Sequence, residues 1–273
     1  MADKYREFYE QAGQYYAEDR LTYSSLSGIT RKKWVLKRLS QLNPGNLLDC
    51  GCNIGRLSSE WKKGIIIGVD IAYSLLIKGK RNFPYINFIQ GDLRNIEFFK
   101  TNSIDNAIAI EVIEHLDSVD SFLSGLFNIL KLGGMLLITT PSYSKMRPYM
   151  TKLGILKSFG IKRGVEGDSY LHTAYKPEEL KSLVEKVGFK IIESGSFEFE
   201  SRGWVKPFTT LRWIFEYISG KFFPYSLLNI LFVEYLNRIE IDSFFIFDTL
   251  GLSKLIKIFF KQGRRSYVLA KKP

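Results

Sequence analysis

Two short segments contain residue types that could do chemistry together. The segment 47–55, LLDCGCNIG, ends an apolar run with a carboxylate and two glycines, and glycine lets a ligand approach the main chain closely. The segment 111–115, EVIEH, puts two carboxylates next to an imidazole. Such groups can move a proton or bind a divalent cation. The first segment predicts a ligand-binding turn, and the second predicts a reactive centre.

Acidic residues recur at the ends of the apolar runs that follow the glycine turn. Asp70 lies 21 residues after Asp49, Asp92 comes after the third run, and Glu111 ends the fourth. The carboxyl ends of neighbouring parallel strands meet at one edge of a sheet, so we expect these groups to lie close together. An acid at the position of Asp70 can bind the two hydroxyls of a ribose. The pattern favours a cofactor that contains a nucleoside.

The two histidines of the chain, His115 and His172, are 57 residues apart, and both are expected at this edge. With Glu111 and Glu114 they form a candidate divalent-cation site, for which carboxylates favour Mg²⁺ or Mn²⁺. Without a metal, His115 is a candidate general base, because an unperturbed imidazole has a pKa of about 6.5. His172 and Glu114 are then its candidate catalytic partners. In a third interpretation the segment only packs and caps a helix, and the residues alone leave all three open.

The elements that must position these groups alternate in character. Short, nearly continuous apolar runs predict buried parallel strands, and amphipathic stretches between them predict helices. This alternation predicts an α/β fold with a doubly wound, mostly parallel sheet. The predicted strands are 46–50, 65–70, 86–90, 105–110, 135–140 and 266–270, and the predicted helices are 30–42, 72–82, 119–130 and 177–187.

Two regions interrupt the alternation. Residues 142–176 form a polar, glycine-containing connection, and residues 198–262 are aromatic-rich and basic. Together with a helical segment at residues 1–30, they are predicted to cap the ligand-binding edge of the sheet. The cofactor-binding core is then residues 31–197, completed by a last strand within 263–273. The aromatic side chains of the first segment that could close over an acceptor are Tyr5, Phe8, Tyr9, Tyr15 and Tyr16.

The composition is that of a globular protein. The chain has 273 residues, 45% of them hydrophobic and 25% charged, which excludes disordered, collagen-like and coiled-coil classes. Cys50 and Cys52 cannot form a disulfide framework, and they are expected to pack beside the glycine turn rather than bind zinc. The first residues contain no apolar signal core, and no apolar run is long enough to span a bilayer. These features predict a cytoplasmic protein.

The last quarter of the chain carries most of the basic excess. Lys and Arg exceed Asp and Glu by 39 − 28 = 11 in the whole chain, and by 12 − 5 = 7 from Arg202 onward. Lys254, Lys257 and Lys261 fall close to one face of a predicted helix. This face indicates either contact with an anionic membrane surface or a solvated side of the cap. The aromatic residues lie among Leu and Ile rather than among Arg, which disfavours a nucleic-acid partner.

Five segments together resemble the class I S-adenosylmethionine-dependent methyltransferases: LLDCGCNIGRLS, GVDIA, QGDLRN, AIAIEVIEHL and LKLGGMLLITTPS, within residues 30–195. The resemblance implies a seven-stranded, Rossmann-like sheet whose glycine turn holds the methionine part, with Asp70 at the ribose and Asp92-Leu93 at the adenine. Dehydrogenases share the architecture, but Asn53 stands where their G-x-G-x-x-G pattern has its second glycine. The implied cofactor-binding residues are Asp49, Gly51, Asn53, Gly55, Asp70, Ile71, Asp92, Leu93, Ile110 and Glu111.

The EVIEH segment resembles two branches of this family. One branch is the quinone-biosynthetic O-methyltransferases of the UbiG type, and the other is the small-RNA 2′-O-methyltransferases. The second implies Glu111, Glu114, His115 and His172 as ligands of Mg²⁺ or Mn²⁺. The leading expectation is O-methylation of a small or lipid-like hydroxylated acceptor. The alternatives are methylation of an RNA ribose and a cofactor-binding protein without catalysis.

Overall fold

The computed structural model describes residues 2–16, 21–96, 98–142, 150–222 and 227–273, and it contains a seven-stranded sheet. The strand order is β3-β2-β1-β4-β5-β9-β8, and β9 alone runs antiparallel to its neighbours. The strands are β1 (Leu47–Cys50), β2 (Ile66–Asp70), β3 (Asn87–Gln90), β4 (Ile104–Ile110), β5 (Leu130–Pro141), β8 (Lys190–Phe197) and β9 (Arg265–Lys271). The predicted doubly wound, mostly parallel sheet is confirmed.

Eight α-helices, three short 3-10 helices and a separate two-stranded sheet complete the described part of the chain. The α-helices are α1 (Ala2–Tyr15), α2 (Leu26–Leu39), α3 (Tyr73–Asn82), α4 (Val119–Ile129), α5 (Pro177–Lys186), α6 (Glu200–Phe222), α7 (Leu227–Thr249) and α8 (Ser253–Phe259). The 3-10 helices are Ser58–Glu60, Ile113–His115 and Gly154–Phe159, and β6 (Met150–Lys152) pairs with β7 (Ser169–Leu171). In this part of the chain, no helix is both long and apolar enough to cross a membrane.

The largest differences from the predicted elements are at three places. Helix α2 begins four residues early because the Ser25 hydroxyl caps it, accepting a hydrogen bond from the Gly28 amide at 3.1 Å. Strand β5 begins at Leu130 and is five residues longer at its start than predicted. Strand β8 is absent from the strands predicted by the sequence, because it is half-exposed along most of its length and lacks a continuous apolar run.

The core lies on both faces of the sheet because successive strand residues point to opposite sides. Leu48 and Ala107 pack with Phe122 of α4 on one face, and Leu47 and Ile108 pack with Val35 of α2 on the other. Cys50 and Cys52 are buried and unpaired, as expected. Burial raises the pKa of both thiols well above their usual range.

The segments outside the sheet repeat pack beside its carboxyl edge. Helix α1 is tied to α3, since the Glu10 carboxylate accepts a hydrogen bond from the Ser74 amide and Lys78 donates to the Gly13 carbonyl. Helices α6 and α7 pack on the start of α2 through Val205 and Phe244. Residues 143–149 of the predicted insertion 142–176, and residues 223–226, lie outside the described residues.

Candidate active site

A cavity of about 310 Å³ opens at the carboxyl edge of the sheet, where the chain order reverses between β1 and β4. Parallel sheets bind ligands at this point. Eight of the ten predicted cofactor-binding residues line it: Gly51, Asn53, Asp70, Ile71, Asp92, Leu93, Ile110 and Glu111. The structure places the other two outside the cavity lining. Asp49 is buried in β1 and hydrogen-bonded to Ser58, and Gly55 packs against Ile86 and Phe88.

The glycine turn follows β1, and its main-chain amides are hydrogen-bonded to the end of β2. Gly51 has a φ of +69°, and a Cβ atom added to it would lie 2.5 Å from Cγ2 of Val112. The backbone at Gly51 therefore lies so close to the Val112 side chain that a residue with a Cβ atom does not fit there. Asn53 also has a positive φ, and its amide donates to the Asp70 carboxylate at 2.8 Å. The turn forms a cradle of main-chain atoms against which a ligand can lie.

Asp70 is held in place by its own backbone surroundings. Its carboxylate accepts hydrogen bonds from the amides of Asn53 and Ala72, at 2.8 and 2.9 Å. Burial raises its pKa, and the backbone donors partly offset this effect. Each carboxylate oxygen has a further lone pair available for a ribose hydroxyl. The cradle and this carboxylate fit the sugar and methionine parts of S-adenosylmethionine.

Arg94, which the sequence analysis did not single out, fixes Asp92 at the cavity wall. Its guanidinium makes a forked ion pair with that carboxylate, with a shortest distance of 2.5 Å, and lies 4.0 Å from the ring centre of Tyr5. Burial raises the pKa of Asp92, but the hydrogen bonds and charge of Arg94 outweigh it, so the net shift is downward. Asp92 is therefore ionised and rigidly oriented, and Arg94 also connects it to α1.

The buried carboxyl group of Asp49 should make the stability of the protein depend on pH. The ordinary pKa of this carboxyl is 3.8, and burial raises it to about 7 in the folded protein. The hydrogen bond from Ser58 lowers the pKa but only partly offsets the effect of burial. Between these two values the folded state keeps a proton that the unfolded state releases, so stability falls as the pH rises. The Asp49→Asn variant lacks this effect, and its stability relative to wild type should rise by about 2 kcal/mol between about pH 5 and 7. Urea unfolding at both pH values measures the gain, and a difference that does not change with pH would contradict the prediction.

Glu111, the first residue of the EVIEH segment, is the centre of a buried charge cluster. Its carboxylate lies 3.1 Å from the Arg31 guanidinium and 2.5 Å from that of Arg265, and it accepts a hydrogen bond from the Thr139 hydroxyl. Burial raises the pKa of Glu111, but the two arginine charges outweigh it, so the net shift is downward. Neither arginine is predictable from a local motif, because they lie 80 and 154 residues away in sequence.

His115 lines the cavity and has a defined tautomer. Its Nδ1 atom lies 3.0 Å from the carbonyl oxygen of Leu171. Since a carbonyl oxygen only accepts hydrogen bonds, Nδ1 carries the proton and Nε2 carries the lone pair. Burial lowers the pKa of His115, so the ring is neutral at neutral pH. These are the properties of a general base.

Glu114 and His172 do not line the cavity. Glu114 is 1% exposed, and burial together with the Glu111 charge raises its pKa well above the usual range. The His172 ring lies 5.2 Å from that of His115, and burial and His115 lower its pKa to about 4. The structure therefore places both residues beside His115 and outside the cavity lining, and their predicted catalytic roles stay predictions.

The predicted Mg²⁺ or Mn²⁺ site at Glu111, Glu114, His115 and His172 does not fit the structure. Among the described residues, which include all four, no three His, Cys, Asp or Glu side chains are arranged to hold a metal ion. Two guanidinium groups already neutralise the Glu111 carboxylate, and the Nδ1–H of His115 is bound to a carbonyl. Nε2 of His115 and Oε1 of Glu114 are 4.0 Å apart.

Aromatic rings form the wall of the cavity opposite the cofactor residues. The predicted rings of Tyr5, Phe8, Tyr9 and Tyr16 all line it, whereas Tyr15 is exposed instead. Phe8 stacks on Tyr170 at 5.1 Å, and Tyr9 meets the His115 ring edge-on at 5.9 Å. The Tyr9 hydroxyl is buried without a hydrogen-bond partner among the described residues. This wall can bind a planar, apolar molecule and still offer it one polar contact.

The fold and the site together define the class of protein. Residues 48–138 match the family model described as a methyltransferase domain. The chain therefore contains a methyltransferase domain of the S-adenosylmethionine-dependent class, and the cradle and the Asp70 carboxylate fit that cofactor.

Similar proteins extend the likeness over most of the chain. The ubiquinone biosynthesis O-methyltransferase of Rickettsia canadensis is 28% identical over 175 residues, which cover 60% of this chain and 72% of that protein. The demethylmenaquinone methyltransferase of Bacteroides fragilis is 24% identical over 200 residues, or 65% of this chain and 81% of that protein. The structure of Haemonchus contortus phosphoethanolamine N-methyltransferase 2 with S-adenosyl-L-methionine superimposes with a TM-score of 0.56 at 19% identity, covering 100% of this chain and 57% of that chain. The predicted resemblance to quinone-biosynthetic methyltransferases is confirmed.

Proposed function

We propose that this methyltransferase transfers its methyl group to an oxygen of a small or lipid-like hydroxylated acceptor. The observation that carries the proposal is the position of His115. Its ring lines the same cavity as the cofactor residues and contacts Tyr9 of the aromatic wall, with the proton on Nδ1 and the lone pair on Nε2. A hydroxyl bound against that wall can lose its proton to Nε2.

The proposed reaction is an in-line displacement. Bound S-adenosylmethionine supplies a methyl group on a positively charged sulfur. The acceptor oxygen forms a bond to the methyl carbon as the carbon–sulfur bond breaks, and the electron pair stays on sulfur. His115 takes the hydroxyl proton, which keeps the ether product neutral. The ion pairs of Glu111 with Arg31 and Arg265 support this chemistry by fixing the segment that carries His115.

The shape and chemistry of the wall favour a hydroxylated aromatic ring as acceptor. Stacked and edge-on aromatic contacts suit a flat ring, and the buried Tyr9 hydroxyl can donate a hydrogen bond to the acceptor oxygen. The names of the relatives, which refer to ubiquinone and menaquinone biosynthesis, are consistent with such a ring. The RNA alternative loses its main support because the four residues it needs as metal ligands do not form a site.

Transfer of labelled methyl groups from S-adenosylmethionine to a panel of phenols, catechols and aliphatic alcohols tests the proposal. We expect a phenol or catechol to be methylated, and the His115→Asn variant to reduce kcat by about 10²–10⁴-fold with little change in the KM for the cofactor. Wild-type kcat should fall as the pH drops through the lowered pKa of His115, since the base is then protonated. This acidic limb should be absent in His115→Asn.

The matched control is the other histidine. Because His172 lies outside the cavity lining, His172→Asn should change kcat by less than about tenfold, much less than loss of a general base. Equal losses in the two variants would contradict the role given to His115. Label found only in amines or in RNA, with none in hydroxylated small molecules, would overturn the proposed acceptor.

A further inference from the structure

Helices α6, α7 and α8 present an unusually apolar surface. Of the 29 large apolar side chains that are exposed among the described residues, 18 lie between Leu211 and Phe259. Monomeric soluble proteins rarely expose a large continuous apolar patch, and such patches mark interaction sites. A concentration of exposed apolar side chains in one region is typical of a surface that binds a partner.

The exposed side chains follow helical stripes. On α6, Leu211, Ile214, Ile218 and Phe222 are spaced by three and four residues, so they share one face. On α7, the same spacing is found for Leu228, Leu231, Tyr235 and Ile239. These stripes are not needed to hold the two helices together. Phe215 stacks on Phe232 at 3.7 Å, and Arg212 pairs with the buried Glu240.

The segment that follows α7 combines apolar and basic residues. Residues 251–264 contain four Lys or Arg residues and no Asp or Glu. Ile258 and Phe259 are 76% and 81% exposed, and Lys254 and Lys261 are also exposed. The side chain of Lys257 lies outside the described residues. A short helix with this composition lies flat at a membrane surface, with apolar groups among the acyl chains and lysines at the headgroups.

We propose that α6, α7 and α8 dock this methyltransferase on the surface of an anionic lipid bilayer. The charge of residues 251–264 complements anionic headgroups, and the stripes on α6 and α7 supply the apolar area that insertion needs. The exposed side chains lie along three successive helices, and other segments line the active-site cavity. A surface that is both apolar and basic suits an anionic bilayer, which takes up apolar groups among its acyl chains and lysines at its headgroups.

The docking surface lies next to the wall of the active-site cavity. Tyr16, which lines the cavity, meets Phe159 edge-on at 5.1 Å, and both pack with Val233 of α7. A bilayer held at the exposed side of α7 is thus separated from the cavity wall by this helix and the side chains packed beneath it. The proposal does not depend on which acceptor is methylated, and it holds for any acceptor of the enzyme.

Vesicle flotation with the full chain tests the proposal. The vesicles are phosphatidylcholine alone and phosphatidylcholine mixed with phosphatidylglycerol. Wild type should float with the mixed vesicles and much less with the neutral ones. Removing two lysines in Lys254→Gln/Lys261→Gln should weaken binding roughly 25-fold, or about fivefold for each lysine. Removing two apolar side chains in Ile258→Ser/Phe259→Ser should weaken it at least as much.

A matched control and an independent measurement keep the test clear. Leu132 is 77% exposed on the opposite side of the cofactor core, at the start of β5, so Leu132→Ser should bind vesicles like wild type. Binding of S-adenosylhomocysteine should be unchanged in every variant, which separates this test from that of the proposed function. Failure of wild type to float, or wild-type binding by both double variants, would overturn the proposal. A wild-type dimer that these variants dissociate, without vesicle binding, would overturn it in favour of a second copy of the chain.

Discussion

The Glu111→Gln variant should be less stable than wild type by about 3–5 kcal/mol. The substitution removes the carboxylate that forms ion pairs with both Arg31 and Arg265, and those two side chains are 9% and 11% exposed. Two guanidinium charges would then stay buried with a neutral amide between them. Urea unfolding of the apoprotein at neutral pH, followed by circular dichroism, measures the loss.

A Glu→Gln substitution in an exposed ion pair is the control. Glu185 pairs with Lys181 at 3.7 Å, one helical turn away, and both side chains are about half exposed. The Glu185→Gln variant should lose less than about 0.5 kcal/mol, because water and salt screen such a pair. If the two variants lost the same amount, the buried cluster would contribute no more than a surface pair.

The Gly51→Ala variant should bind S-adenosylhomocysteine about 100-fold more weakly than wild type. The added Cβ would lie 2.5 Å from Val112 and would force the cradle away from the cofactor, where a displacement of about 1 Å can cost a factor of 10². The positive φ of Gly51 adds strain of about 1–2 kcal/mol to the folded state. Isothermal titration calorimetry with S-adenosylhomocysteine measures the affinity.

The Gly133→Ala variant separates the effect of backbone strain from the effect of displacing the cradle. Gly133 also has a positive φ, of +79°, but a Cβ atom there would lie 3.5 Å from its nearest neighbour, which is ordinary contact. The variant should show similar backbone strain and unchanged affinity for the ligand. A similar loss of affinity in both variants would mean that general destabilisation, rather than closure of the cradle, explains the result for Gly51.

Much of the fold and of the cofactor site could be predicted because both depend on local patterns. Buried parallel strands are continuous apolar runs, and the residues at their ends meet at one edge whatever the details of packing. Asp70 and Asp92 could therefore be placed from their positions at the end of β2 and just after β3. Asp49 follows the same pattern but lies one residue before the end of β1, and only the structure shows that it is buried outside the cavity lining.

The counter-charges of the reactive segment could not be predicted in the same way. The EVIEH pattern supplies carboxylates and an imidazole, and these are equally typical of a metal site and of a metal-free base. What decides between them is Arg31, in α2, and Arg265, at the start of β9. Neither arginine has a local motif, so their approach to Glu111 depends on the whole topology of the sheet.

The pairing of Phe197 with Arg265 has a consequence for how such an enzyme can evolve. These two residues are register partners at the end of the β8–β9 ladder, so the chain leaves the sheet and returns at one point. Residues 198–264 are therefore an insertion between two paired strands, and this insertion can lengthen, shrink or be exchanged without moving any strand. Selection that acts on the insertion can change where in the cell the enzyme binds, while the catalytic core on β1, β2 and β4 is inherited unchanged.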